Sequence, residues 1–127
     1  MKTMMMMVAA VSVSISSAAF AEPAVTCEQG AFAEKVEAHK PVGDAASIAA
    51  AHKATYFVVI KNPGASTTVT LVWKIDGAEV QRQSLDVGTS PGWKSWGSRF
   101  IGGAKRVDVS VLDASGATLK DDALTLP

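Results

Sequence analysis

The chain has 127 residues, with 12 basic and 12 acidic side chains and an apolar fraction of 48%. That length supports one domain with a modest core, and the balanced charge excludes the basic surface that nucleic acid or an anionic membrane requires of a main partner. One cysteine, Cys27, excludes an intrachain disulfide and a cysteine-based metal site.

Residues 1–21 read as a secretory signal peptide. Met1-Lys2 supplies a positive end, Thr3 to Phe20 is uncharged and largely apolar, and Ala19-Phe20-Ala21 is an A-x-A cleavage pattern. Cleavage there leaves a single domain over 22–127, removes all five methionines, and leaves one net negative charge. The expected location is therefore periplasmic or secreted, with no membrane span after signal cleavage. A lipid anchor on Cys27 is not expected, because Thr26 stands where lipoproteins carry a small residue. Residues 22–30 read as a loose N-terminal tail, with Cys27 an idle thiol inside it.

Phe32 to Ala38 alternates in the manner of an edge strand, stopped by Pro41. Asp44 to Lys53 reads as a connecting loop with one or two helical turns, which Asp44 could cap and only Ile48 could anchor. Ala54 to Lys61 is the most strand-like stretch. Its unbroken apolar run, Tyr56 to Ile60, predicts a central strand covered on both faces, ended by Asn62-Pro63-Gly64.

Asp76-Gly77 is the clearest turn signal, favouring a two-residue type I′ hairpin because both central residues need positive φ. Counting outward pairs Ile75 with Ala78, Lys74 with Glu79 and Trp73 with Val80. Val69, Leu71, Trp73 and Ile75 then face the core with Val80, and Lys74–Glu79 forms a surface ion pair. The second strand changes phase, since Leu85 and Val87 have the opposite parity to Val80. Either a β-bulge around Arg82-Gln83-Ser84 or a switch between sheets accounts for this. A loop at Gly88–Gly92 precedes a strand from Trp93 to Ile101, interrupted near Gly97. Arg106 to Leu112 alternates with Val107, Val109 and Val111 inward, and an Asp113–Gly116 turn leads to a last strand from Ala117 to about Leu126.

Six to seven short strands at this spacing predict an all-β fold, an antiparallel immunoglobulin-like β-sandwich, with an open β-barrel as the alternative. The motif order resembles the bacterial family called domain of unknown function 2914. The matching segments are Lys40-Pro41-Val42-Gly43, Trp73-Lys74-Ile75-Asp76-Gly77 and Trp93-Lys94-Ser95-Trp96-Gly97-Ser98, then Val107, Val109, Asp113, Gly116 and Leu119. Leu71 stands where the family often has His, and Lys105-Arg106 where it often has Trp. The resemblance implies a compact exported β-domain and no known activity.

No catalytic set stands out. His39 and His52 lie at strand ends or in loops, no G-x-S-x-G elbow is present, and Asp121-Asp122 reads as a solvated turn or bulge. The chain is expected to be no enzyme and to use no cofactor. The candidate ligand-binding residues are Trp93, Lys94, Trp96, Ser98 and Arg99, because aromatic rings beside cations can hold sugars, peptides or anions. In a strand, Trp93 shares a face with Ser95, Gly97 and Arg99, and Trp96 shares the other with Lys94 and Ser98; the spacing leaves open which face is outside. The expected function is binding a protein or cell-envelope component, or alternatively a glycan through the Trp93–Arg99 segment.

Overall fold

A computed structural model describes residues 24–127, so the expected signal peptide lies outside the described residues. The elements in chain order are β1 (Thr26–Ala33), β2 (Lys35–Glu37), β3 (Lys40–Val42), α1 (Ala45–Ala51), β4 (Lys53–Asn62), β5 (Thr67–Ile75), β6 (Ala78–Val87), β7 (Ser90–Phe100), β8 (Arg106–Leu112) and β9 (Thr118–Thr125). β1, β4 and β7 form one sheet in that order, and β6, β5, β8 and β9 form a second. Every neighbouring pair is antiparallel. The edge strands β1 and β9 run beside each other on one side and β7 and β6 on the other, yet neither pair joins the hydrogen-bonded ladders. The fold is an all-β sandwich rather than a barrel.

Strand alternation builds the core. Tyr56, Val58 and Ile60 of β4 meet Val69, Leu71 and Trp73 of β5, and Val107, Val109 and Val111 of β8, all buried. The other face of β4 is covered as well: Phe57 is buried there, and Thr55 donates a hydrogen bond to the Glu34 carbonyl at 3.1 Å. The β2–β3 ribbon supplies part of that cover, since Glu34 leads into β2 and its N–H donates to Val42 O at 2.9 Å. Burial on both faces is why the run Tyr56 to Ile60 is apolar throughout.

The N-terminal expectation needs correction. Thr26 to Gly30 belong to β1, paired from Thr26↔Lys61 through Gly30↔Val58, so Cys27 lies in a strand and packs half-buried at the margin of the core. The single edge strand expected over Phe32–Ala38 is instead the end of β1 followed by β2. The chain bends at Glu34, and Ala38 and His39 take left-handed φ of 50° and 61° to close a tight turn into β3. The Asp44–Lys53 stretch contains two turns of helix. The Asp44 carboxylate accepts the Ser47 N–H, the Ser47 hydroxyl accepts the Asp44 N–H, and buried Ile48 docks the helix onto the sandwich. The hydrogen bonds from Ser47 hold the Asp44 carboxyl below its usual range.

Asp76-Gly77 does close the β5–β6 hairpin, with φ of 49° and 91°. Ile75 pairs with Ala78 and Lys74 with Glu79, but Trp73 pairs with Gln81, so the bulge falls at Val80 rather than around Arg82–Ser84. Val80 is 44% exposed, not packed beside Trp73. The shift carries Gln81, Gln83, Leu85 and Val87 onto the inward face of β6. Glu79 is ion-paired with Arg82 at 2.9 Å, and the expected Lys74–Glu79 bridge does not form. β7 starts at Ser90 and runs unbroken through Gly97, so the loop before it is shorter than the five residues expected. Asp121 and Asp122 lie within β9, pointing to opposite faces rather than forming a turn.

Candidate functional site

β7 carries all five candidate residues, and its register against β4 sorts them. Trp93 sits opposite Ile60, Ser95 opposite Val58, Gly97 opposite Tyr56 and Arg99 opposite Ala54, which places them on the inward side. Lys94, Trp96 and Ser98 sit opposite Val59, Phe57 and Thr55 on the outward side. The alternation expected from the spacing holds. The question left open, which of the two faces is outside, has an unexpected answer, because Trp93 and Trp96 are each 38% exposed. Although Trp93 sits opposite buried Ile60, its ring lies across Gly88 at the end of β6 and stays partly in solvent.

Inward-facing β7 is a polar seam joined to β6. The Gln83 amide oxygen accepts the Trp73 indole N–H at 2.8 Å, and its NH2 donates to Ser98 O at 3.0 Å. Gly97 makes room for it: a Cβ there would collide with the Gln83 oxygen and stand 3.0 Å from Leu71. Arg99 donates to Gln81 at 2.9 Å and to Phe100 O at 2.9 Å. Arg99 is therefore held in the seam, with its Nε and Nη1 engaged there. Ser98 is also occupied, since Thr55 spends its only proton on Glu34 O and Ser98 donates to Thr55 at 2.6 Å. That serine is paired with a threonine rather than a histidine.

On the outward face Trp96 stacks on Phe57, with ring centroids 6.2 Å apart and planes 21° apart. His39, delivered by the left-handed turn between β2 and β3, meets Trp96 edge-on at 5.9 Å. Phe100, two positions beyond Ser98 on the same face, is 68% exposed, with the His52 ring 6.4 Å away. His52 is itself fixed at the C-terminal end of α1, where its Nδ1 lies 3.0 Å from Gly102 O. Lys94 is exposed and has no acidic partner within 4 Å among the described residues. Trp93, Lys94 and Trp96 thus remain open, joined by His39 and Phe100. The sequence reading missed Phe100, although its parity with Trp96 was visible, and missed His39 because it arrives from a distant turn.

The opposite side of the sandwich, between β1 and β9, holds a second polar group. Tyr56 donates to Asp122 at 3.2 Å, and burial, reinforced by that carboxylate, pushes the phenol well above its ordinary range. Gly30 lets the phenol pass, since a Cβ there would overlap its oxygen. Burial also raises the Cys27 thiol, against the opposing pull of Lys120, and the S–H donates to Gln29 O at 3.3 Å. That makes it a weak nucleophile.

Among the described residues no group of three His, Cys, Asp or Glu side chains is placed to hold a metal ion, and no helix is long and apolar enough to cross a membrane. The open residues can stack on flat apolar surfaces and donate from Lys94. Comparison of the chain with family models, with curated proteins and with solved structures returned no match.

Proposed function

We propose that this protein is a non-catalytic, exported β-sandwich that binds a protein or cell-envelope component through the outward face of β7. The observation that carries the reading is the exposure of Trp96 and Phe100 on one face of an edge strand, with Lys94 beside them. Large exposed aromatics on one face are what interaction surfaces present, and Trp in particular anchors them. Export rests on the residues of the leader, and kinship with domain of unknown function 2914 rests on the motif order alone; both belong to this proposal. The test is affinity capture from envelope extract with the exported protein and a Trp96→Ala/Phe100→Ala variant of equal stability. A component retained by the wild type and lost by the variant supports the reading. Equal capture by both, or none by either, overturns it.

A second reading, a glycan-binding module, is favoured by a different observation. Trp93 stands between two concavities at one end of the sandwich, and the second reaches Lys94 and His39 of the outward face.

A further inference from the structure

Concavities gather around the connection between β6 and β7. One, of about 350 Å³, is bordered by Ser66, Thr68, Asp86, Gly88 and Trp93. Another, of about 490 Å³, lies across the same indole beside His39, Ser90, Gly92 and Lys94 and opens toward the outward face. Both fall within the range of roughly 300–1,000 Å³ typical of small-ligand clefts. The Trp93 ring is therefore a ridge with a hollow on either side.

Gly88 sets the ring there. A Cβ on Gly88 would stand 2.7 Å from Cζ3 of Trp93, so only a residue without a side chain lets the indole lie across the chain at the end of β6. The ring thereby reaches the margin of the four-stranded sheet, where Thr68 and Asp86 face each other across β5 and β6. Asp86 is exposed and in no ion pair within the described residues. The first hollow itself is mostly apolar, walled by the open ring with Thr67 and Val87, and Asp86 and Thr68 stand on its border.

We propose that this hollow is a saccharide subsite, with a sugar ring stacked on Trp93, its hydroxyls donating to Asp86 and exchanging hydrogen bonds with Thr68. A sugar presents an apolar C–H face and a rim of hydroxyls, which matches an indole flanked by a carboxylate acceptor. Asp86 repels phosphates and other anions, and a lone carboxylate is a poor cage for a cation. The inference rests on the glycan reading given above and assigns its site. It is separable from the outward face, because Trp93 and Trp96 point to opposite sides of β7.

The test titrates the intact protein with chitotriose, cellotriose and maltotriose, following the heat of binding. Binding of at least one trisaccharide is expected. Trp93→Ala weakens it at least about tenfold and Asp86→Asn about tenfold, while Lys74→Ala leaves it within about twofold. Should Trp93→Ala fail to fold, Gly88→Ala serves instead, since its added Cβ displaces the ring and brings the same loss. Binding that survives Trp93→Ala or Gly88→Ala but is lost in Trp96→Ala overturns this subsite and keeps the glycan reading. No response to any of the three sugars in the wild type overturns both.

Discussion

Two hairpins in this molecule make the same left-handed turn on opposite kinds of support. The β5–β6 hairpin turns through Asp76-Gly77, a pair suited to positive φ, and its tip is tied down. The Asp76 carboxylate accepts the N–H groups of Lys105 and Arg106, each at 2.9 Å. The β2–β3 hairpin turns through Ala38-His39, neither of them glycine or asparagine, at about 1–2 kcal/mol per left-handed residue. Its strands are three residues each. The first turn follows from local chemistry; the second is held by what surrounds it, including the contact of His39 with Trp96. A strained turn held from outside is a device for placing a side chain, and here it places an imidazole against the open indole of the outward face.

Substitutions sharpen this contrast. Trp73→Ala should do most damage, because it empties the core beneath the β5–β6 hairpin and leaves the Gln83 oxygen without its donor. A loss of about 3–5 kcal/mol is expected, a large part of a small domain's stability, read as a denaturant midpoint. Gly77→Ala comes next. With φ at 91°, the substitution should destabilise by about 1–2 kcal/mol, and a wild-type melt would show that the tip relaxes freely. Ala38→Asn should act in the other direction. Asparagine tolerates the left-handed region, so a gain of up to about 1 kcal/mol is expected in thermal melts. No gain there would mean that the surroundings, not the turn residues, set the energy of the ribbon. Lys74→Ala should be the smallest, below about 0.5 kcal/mol, since Glu79 is engaged by Arg82.

The same contrast explains what could be read in advance. Alternation placed Val69, Leu71 and Trp73 and the valines of β8 correctly, and the double-sided burial of β4 was written in its unbroken apolar run. The change of phase in β6 announced a bulge, but its position depended on Gln83 reaching Trp73 and Ser98, a tertiary polar bond that no periodicity reveals. The ribbon was illegible for a related reason. Ala38-His39 carries no turn signature, so the segment looked like one alternating strand. At the site, parity separated Trp93 from Trp96, whereas their partial exposure arose from strand ends and neighbours distant in sequence. Ser98 and Arg99 looked available only because their partners, Thr55 and Gln81, come from other strands.

The bulge at Val80 also bears on self-association. β6 and β7 are sheet edges, and an edge with straight, unpaired backbone invites another chain to add itself as a strand. Val80 breaks the line of β6 and twists it locally, while Gln83 and Arg99 occupy the carbonyls of Ser98 and Phe100 on β7. The residues that settle the register of one hairpin therefore also guard the flank of the sandwich against polymerisation. The aromatic face beside it can stay exposed without the molecules zipping together through their backbones.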